Sequence, residues 1–169
     1  MIPEKVSTLL AAHSLQAIEF EPGSTATSQL AAERLGVLVG QIAKSLLFLG
    51  KDGRYFMLLC PGDHKVSSAK LKAAVGGKTR MARYEETVAA TGFEPGGVCP
   101  FGIDGGIQIL IDECLAQYRM IYPAAGTSAS GVAVTFAQLL SITGGQTGDF
   151  SLAEKSGADR QPEEGSRDS

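Results

Sequence analysis

The spacing of apolar and polar residues predicts a chain of short helices and short strands in irregular order. Apolar residues three or four positions apart predict helices, and short apolar runs rich in branched or aromatic side chains predict strands. The predicted helices cover 3–13, 28–35, 67–75, 85–91 and 137–142. The predicted strands cover 15–20, 46–50, 55–60, 79–82, 107–111, 120–125 and 132–136. This irregular order indicates a mixed α/β (α+β) fold and not a doubly wound sheet.

Local signals support several of these boundaries. Serine and threonine residues at 24–28 are candidate caps for the second helix, and glycines at 36, 76 and 92 are predicted to end three helices. An Asp-Gly pair at 52–53 predicts an antiparallel hairpin between the strands 46–50 and 55–60. From residue 144 onward the chain is rich in Gly, Ser, Asp, Glu and Arg. We therefore predict a domain over 1–143 and a polar, flexible tail over 144–169.

Composition restricts the class of protein. A length of 169 residues suits one domain, and 44% hydrophobic with 20% charged residues is typical of a globular chain. No run approaches the ~20 apolar residues of a membrane span, and no signal-peptide pattern is visible. Three cysteines without C-x-x-C spacing favour reduced thiols and disfavour a zinc site. We expect a cytoplasmic protein with no membrane contact, no metal and no cofactor.

The net charge of −3 hides an uneven distribution. Residues 44–83 contain nine Lys or Arg against two acidic residues, a net charge of +7, whereas the remainder has six basic and sixteen acidic residues, a net charge of −10. A basic middle in an acidic protein favours a local contact with a polyanion. The alternative is that these side chains are only solvated strand ends and one face of a helix.

Conventional catalytic motifs are poorly supported. Only two histidines occur. His13 lies on the first predicted helix, and His64 lies in a predicted turn beside Asp63. His64 is placed to contact an RNA phosphate, although a plain turn residue is the simpler interpretation. With no clustered carboxylates, a His-based triad or a metal hydrolase is disfavoured.

The segment 91–102, Thr-Gly-Phe-Glu-Pro-Gly-Gly-Val-Cys-Pro-Phe-Gly, carries the strongest chemical signal. Gly96 and Gly97 allow close approach of a ligand to main-chain N–H groups, and Pro100 fixes its own φ. Such a turn can hold a carbonyl or an oxyanion with main-chain dipoles alone. Cys99 is either a thiolate nucleophile beside these amides or a small buried side chain, and we favour the second. Far upstream, Lys44 begins an apolar run and is either functional or a lysine that extends from a strand edge to solvent.

Four landmarks in this order resemble the YbaK/ProX family, the free-standing relatives of the editing domain of bacterial prolyl-tRNA synthetases. They are Thr27-Ser-Gln-Leu-Ala-Ala-Glu-Arg-Leu-Gly, Gln41-Ile-Ala-Lys-Ser-Leu-Leu-Phe, Pro61-Gly-Asp-His-Lys-Val-Ser-Ser-Ala-Lys-Leu and Gly96-Gly-Val-Cys-Pro-Phe-Gly. Each landmark alone is weak. Together they extend the resemblance over residues 6–142.

The resemblance implies a single domain with a curved, mostly antiparallel mixed central sheet surrounded by helices. It implies hydrolysis of the ester that links a wrong amino acid to the 3′ end of a tRNA, with Lys44, Gly96, Gly97 and Pro100 at the centre of the chemistry. The substrate contacts that it implies are Phe20, Thr27, Ser45, His64, Val98, Cys99, Ala124 and Gly126. The implied partner is the acceptor end of an aminoacyl-tRNA, with a synthetase as a second candidate partner.

The substrate stays open within this resemblance. It is implied to be a small amino acid such as Ala, Ser, Thr or Cys, on tRNA-Pro or a similar tRNA. Ala124 and Gly131 occupy positions where the cysteine-releasing members carry Ser and Asp, which weakens the assignment to Cys-tRNA. A non-catalytic module that binds tRNA ends or nucleotides is the alternative from another class, and a thiol-dependent hydrolase using Cys99 is a second alternative.

Overall fold

The computed structural model describes residues 1–154. The helices in this part are α1 (Glu4–Ala12), α2 (Ser28–Leu35), α3 (Ser68–Val75), α4 (Tyr84–Thr91) and α5 (Phe136–Thr143). The strands are β1 (Ile18–Glu19), β2 (Ala43–Gly50), β3 (Tyr55–Pro61), β4 (His64–Val66), β5 (Thr79–Met81), β6 (Gln108–Asp112), β7 (Ser130–Gly131), β8 (Gln146–Gly148) and β9 (Ser151–Ala153). None of these helices is long and apolar enough to cross a membrane.

The helix boundaries follow from local capping. The Thr27 side chain accepts a hydrogen bond from the Leu30 amide at 3.1 Å and so begins α2. Ser67 accepts one from the Lys70 amide at 3.2 Å and begins α3 in the same way. Gly36 ends α2 in the left-handed conformation, which glycine adopts without steric cost. The glycines after α3, α4 and α5 do the same.

The main sheet has the strand order β5-β2-β3-β6-β8. The hairpin β2–β3 and the pair β2–β5 are antiparallel, as the Asp-Gly turn predicts for the hairpin. The pairs β3–β6 and β6–β8 are parallel. The expected mixed α/β fold is confirmed, with antiparallel pairing on one side of β3 and parallel pairing on the other. Two further pairs, β1–β7 and β4–β9, are antiparallel.

Both faces of the sheet are buried at β3. Successive residues of this strand point to opposite faces, and each set packs in a different core. Met57 and Leu59 join the larger core, which includes residues of α1 and α5 and the segment around Phe101. Phe56 and Leu58 join a smaller core with Leu71 of α3. Both faces of β3 are therefore covered, and the neighbouring strand β2 carries Lys44.

The expected strands at 120–125 and 132–136 are mostly irregular backbone. Only single bridges form there, between Ile121 and Val134 and between Ile42 and Tyr122. Regular strand structure in this region is limited to the two residues of β7. Pro123 has no N–H for a ladder, and the small residues at 124–126 supply little side-chain contact between strands. This irregular segment instead lines a cavity.

The structure also differs from the expected tail boundary at residue 144. Strand β8 extends the main sheet, and Phe150 is buried in the smaller core. Strand β9 pairs with β4. The polar composition suggested a solvated segment. However, β8 lies at the edge of the sheet, where a strand needs little apolar surface. The buried side chain of Phe150 then holds the following residues against the smaller core. The remainder of the predicted tail, 155–169, lies outside the described residues.

Candidate active site

A cavity of about 230 Å³ opens between α2, the start of β2, the glycine loop at 96–98 and the irregular segment 122–131. It is smaller than the ~300–1,000 Å³ typical of sites for drug-sized ligands. The lining residues are Thr25, Ala26, Thr27, Ser28, Ala31, Leu35, Ile42, Ala43, Lys44, Ser45, Leu46, Gly96, Val98, Tyr122, Ala124, Ser130 and Gly131. Six of the predicted site residues line this cavity: Thr27, Lys44, Ser45, Gly96, Val98 and Ala124.

Among the described residues that line the cavity, Lys44 is the only charged one. It is half-buried on β2, and its Nζ donates a hydrogen bond to the main-chain carbonyl of His64. Within residues 1–154 it makes no ion pair with a carboxylate. An ammonium group has three donors. The carbonyl therefore orients Lys44 without cancelling its charge and leaves two donors for a ligand.

The glycine loop contains two residues that line the cavity and whose amides have no protein acceptor in residues 1–154. The Gly97 amide is already used, because it donates to the Glu94 carbonyl at 3.0 Å. Gly96 and Val98 line the cavity, and their amides donate to no protein acceptor within the described residues. Gly96 has a φ of +97°, a conformation that favours glycine. Gly96 and Val98, on either side of Gly97, therefore supply the amides available to a carbonyl oxygen.

Two hydroxyl groups among the lining residues, those of Thr25 and Ser130, are hydrogen-bonded to main-chain groups. Thr25 Oγ1 accepts from the Ser130 amide at 3.0 Å and donates to the Ser130 carbonyl at 3.2 Å. Ser130 Oγ accepts from the Ala125 amide at 3.0 Å. Buried hydrogen bonds of this kind contribute about 1 kcal/mol each. These hydroxyls are therefore committed to holding the wall.

Ser45 differs from these hydroxyls. It lines the cavity, and its Oγ is shielded from solvent with no hydrogen-bond partner in residues 1–154. A buried polar atom without a partner costs about 1–3 kcal/mol. Its hydroxyl is therefore available to a group that enters the cavity.

Six predicted site residues lie outside the cavity lining. Phe20 is stacked beneath Arg34, whose guanidinium carbon is 4.8 Å from the ring centre. Pro100 is buried and borders a separate hollow near Ile103. The other four are Gly97, His64, Cys99 and Gly126. Each of the four is buried.

Gly97 and Gly126 have packing roles. A Cβ atom on Gly97 would lie 2.7 Å from main-chain atoms of Thr127. A Cβ on Gly126 would lie 2.8 Å from Pro3, and its φ is +97°. Both glycines therefore permit close contact between the glycine loop, the segment 122–131 and the N-terminus.

Cys99 is fully buried in the larger core. Burial raises the pKa of its thiol to about 12, and a backbone hydrogen bond at Phe101 offsets only part of that effect. At pH 8 a thiol with that pKa is ionised in only about one molecule in 10⁴. This position and this pKa disfavour a thiolate nucleophile.

Replacing Cys99 with serine is expected to keep kcat/KM for the ester hydrolysis that the resemblance implies within about threefold of the wild type, since Cys99 does not line the cavity. Placing a hydroxyl in an apolar core is expected to lower Tm by a few degrees. The assay is deacylation below the melting transition, with an iodoacetamide-treated wild type alongside. Complete loss of activity in folded protein, by either route, would restore the thiol-dependent hydrolase.

Most of the uncharged residues that line the cavity were not predicted from the sequence. Ala31 and Leu35 lie four residues apart on α2, so the helical period offered a signal for them. Thr25, Tyr122 and Ser130 gave no such signal. They reach the cavity through contacts between distant segments, as the separation of 105 residues between Thr25 and Ser130 shows.

Comparisons with known proteins identify the family of this chain. The sequence profile of the family described as aminoacyl-tRNA editing domain matches residues 22–142. The Bacillus subtilis protein YwhH, which is uncharacterized, is 38% identical over 117 residues, covering 69% of this chain and 74% of that one. A candidate Cys-tRNA(Pro)/Cys-tRNA(Cys) deacylase, EbsC of Enterococcus faecalis, is 28% identical over 129 residues, covering 76% and 79%.

A solved structure gives the same result for the fold. The crystal structure of a candidate trans-editing enzyme for prolyl-tRNA synthetase superimposes with a TM-score of 0.81 at 35% identity, covering 88% of this chain and 96% of that chain. The profile match spans well over half of the chain, and the resemblance seen in the four sequence landmarks is confirmed. This chain belongs to the aminoacyl-tRNA editing domain family, of the YbaK type.

Proposed function

We propose that this protein is a trans-editing deacylase that hydrolyses the ester between a small amino acid and the 3′-terminal adenosine of a mischarged tRNA. The observation that carries this proposal is a cavity lined by Lys44, which has no carboxylate partner within residues 1–154, and by Gly96 and Val98, whose amides have no protein acceptor in the same range. A cation can bind the phosphate near the ester, and main-chain amides can stabilise the negative charge that develops on the ester carbonyl during hydrolysis. The family membership and the neighbouring structure support the same reaction.

The reaction follows from these groups. The amides of Gly96 and Val98 would donate hydrogen bonds to the ester carbonyl oxygen and stabilise the negative charge that develops on it. Water adds to the carbonyl carbon and gives a tetrahedral intermediate. The intermediate then breaks its bond to the ribose oxygen, which takes up a proton and leaves with the tRNA, while the amino acid is released.

No side-chain base of the usual kind lines the cavity in the described residues, where the only titratable groups are Lys44 and Tyr122. The ribose 2′-hydroxyl of the substrate is therefore the group we propose to assist the attacking water. An aminoacyl ester is intrinsically reactive, so fixed orientation and electrostatic stabilisation can supply the rate enhancement.

The size and walls of the cavity favour a small amino acid. Its volume is about 230 Å³, and Ala31, Ala124 and Gly131 form part of its surface. A Cβ on Gly131 would lie 3.2 Å from Leu35 Cδ1, so the wall there is tightly packed against α2. The Ser45 hydroxyl, which has no hydrogen-bond partner within residues 1–154, can bind the amino group or a polar side chain. We propose Ala, Ser, Thr and Cys as the substrate set, with a synthetase or the acceptor stem defining the tRNA.

A second groove suggests where the tRNA backbone lies. This groove of about 370 Å³ is bordered by Lys44, Lys65 and Arg80, and none of the described residues that line it is acidic. Arg80 is held by Glu86 through two hydrogen bonds of 2.8 and 2.7 Å, which reduces its availability. Lys65 is exposed and makes no ion pair within residues 1–154. Lys44 lines both the groove and the cavity, so a strand with its terminal ester in the cavity can place its phosphates along the groove.

Replacing Lys65 with alanine is expected to raise KM for mischarged tRNA about threefold with little change in kcat, since a phosphate contact contributes to binding and not to the reacting centre. The slope of log affinity against log salt should fall by about 0.7–1 in magnitude, the value for one released counterion. Steady-state kinetics and binding titrations over a range of salt concentrations measure both quantities.

Lys51→Ala is the matched control, because Lys51 is also exposed but lies in the β2–β3 turn, at the opposite end of β2 from Lys44. A second control is an aminoacylated adenosine without upstream phosphates, which Lys65→Ala should hydrolyse as fast as the wild type. If Lys65→Ala and Lys51→Ala behave alike, the groove does not hold the backbone.

The function itself is tested with a panel of tRNA-Pro and cognate tRNAs charged with Ala, Ser, Thr, Cys and, as a correct pairing, Pro. Release of one small amino acid, with correctly charged prolyl-tRNA left intact, would establish the activity and name the substrate. If no member is hydrolysed although tRNA binds, the alternative of a non-catalytic tRNA-end-binding module replaces the proposal.

A further inference from the structure

A chain of buried polar side chains connects Lys44 to the last described strand. It runs from Asp112 at the end of β6, through Ser151 of β9, to His64 of β4. The main-chain carbonyl of His64 then accepts the hydrogen bond from Lys44 Nζ. The side chains of Asp112, Ser151 and His64 line neither the cavity nor the groove. Their arrangement therefore needs an explanation other than direct contact with a ligand.

Asp112 is fully buried and accepts three hydrogen bonds. They come from the Cys114 amide at 2.8 Å, the Phe150 amide at 2.9 Å and Ser151 Oγ at 2.8 Å. Burial works against its charge, but these hydrogen bonds outweigh burial and hold the pKa of the carboxyl below its usual value. Asp112 is therefore an ionised acceptor at neutral pH.

The ionised carboxylate fixes the direction of the remaining bonds. A serine hydroxyl has one proton, and Ser151 donates it to Asp112. The bond of 2.9 Å between Ser151 Oγ and His64 Nδ1 must then be donated by the imidazole. His64 consequently carries its proton on Nδ1.

These donor and acceptor assignments exclude a Ser-His-Asp catalytic triad. In a triad the serine gives its proton to histidine, and the carboxylate binds the other imidazole nitrogen. Here the serine proton is donated to Asp112, and Ser151 is only 4% exposed. The carboxylate that faces the other imidazole nitrogen, Asp63, has its Oδ1 atom 4.0 Å from Nε2, which is too long for a hydrogen bond. The three side chains form a fixed structural relay.

The backbone around the relay is also tied down. Strand β9 pairs with β4 over three residues. At one end the Ser67 amide donates to the Phe150 carbonyl at 2.9 Å, and at the other the Glu154 amide donates to the Asp63 carbonyl at 2.9 Å. The segment 150–154 therefore closes over β4 on both sides of the His64 side chain.

We propose that the relay Asp112–Ser151–His64 positions Lys44, by fixing the His64 carbonyl from which the lysine ammonium is oriented. A neutral carbonyl holds the ammonium in place but preserves its full charge for a substrate phosphate or ribose. The consequence for catalysis rests on the proposed function, whereas the positioning itself does not.

The positioning is tested in the protein without substrate, by the NMR signals of lysine labelled with ¹³C at Cε. A lysine held in one geometry is expected to show two resolved Hε resonances, and a freely rotating one a single averaged signal. The Lys44 signal is identified by its absence in Lys44→Ala. It should be resolved in the wild type, averaged in Ser151→Ala, and resolved again in Ser151→Thr, which keeps the hydroxyl.

His64→Ala breaks the relay from its other end and keeps the main-chain carbonyl, so it should also average the Lys44 signal. Ser141→Ala, at an exposed serine of α5, is the matched control and should change nothing. The proposal is overturned if Lys44 stays resolved in Ser151→Ala or His64→Ala, or if it is already averaged in the wild type. Thermal melts of each variant confirm that the spectra come from folded protein.

The catalytic consequence is measured on whichever mischarged tRNA the wild type hydrolyses. Ser151→Ala should raise KM about fivefold with kcat within twofold, and Ser151→Thr should restore both. A change in kcat alone would contradict a positioning role for Lys44 in binding. If the wild type hydrolyses none of the panel, the proposed function fails while the NMR spectra still decide the relay.

Discussion

Lys44→Ala is expected to lower kcat/KM for deacylation by about 100-fold or more. Lys44 is the only charged residue in the cavity lining, and no carboxylate pairs with it within the described residues. Removing it leaves the substrate's negatively charged and polar groups without their cationic partner in a confined site, where such contacts are worth roughly 2–4 kcal/mol. Single-turnover hydrolysis of the mischarged tRNA identified by the panel measures the loss.

Two further variants test whether the loss of activity is specific to the position and to the shape of Lys44. Lys51→Ala removes an exposed lysine at the far end of β2 and should keep full activity. Lys44→Arg keeps the charge but brings a larger, planar group to a half-buried position, and we expect a loss of about tenfold. If Lys44→Ala retains more than a third of wild-type kcat/KM while Tm is unchanged, the lysine is not part of the reacting site.

The sequence predicted those parts of the fold whose signals are local. Helix α2 was predicted at its observed bounds, because a threonine cap and a terminal glycine enclose eight residues. The β2–β3 hairpin was predicted from an Asp-Gly turn between two apolar runs. In both cases the residues that determine the element lie within it or directly beside it.

Non-local pairing explains most of what the sequence did not predict. Strand β8 consists of Gln146, Thr147 and Gly148 and has no apolar alternation, so only its parallel partner β6 identifies it as a strand. Strand β9 likewise depends on β4. Conversely, the apolar run at 120–125 suggested a strand, but Pro123 interrupts the ladder there.

In the candidate site, too, residues with local sequence signals were predicted and residues that meet only through distant contacts were not. Lys44 and Gly96 were identified because they belong to short motifs that resemble a family. The relay could not be seen in this way, since Asp112 and Ser151 are 39 residues apart and Ser151 and His64 are 87 apart. Nothing in the segments around these residues indicates that they meet. Their contact arises from the crossover that brings the end of β6 and the segment 150–154 together.

Gly97→Ala is expected to lower kcat/KM about 50-fold and Tm by roughly 5 °C or more. The added Cβ would lie 2.7 Å from Thr127 Cα and C and 2.8 Å from its N, and these are main-chain atoms that cannot rotate away. Overpacking of this kind costs about 1–3 kcal/mol, and a domain of this size loses roughly 2–4 °C per kcal/mol. Deacylation kinetics and calorimetry measure the two effects.

The activity loss should exceed what the stability loss explains. Moving residue 97 away from Thr127 also moves the flanking amides of Gly96 and Val98, and a displacement near 1 Å can cost about 10²-fold in rate. Gly105→Ala is the matched control, because a Cβ there meets no atom within 4 Å and its φ lies outside the left-handed region. If Gly97→Ala loses stability but keeps near-normal kcat/KM when folded, the amides beside it do not hold the ester carbonyl. The reaction would then depend on Lys44 and the substrate's own 2′-hydroxyl.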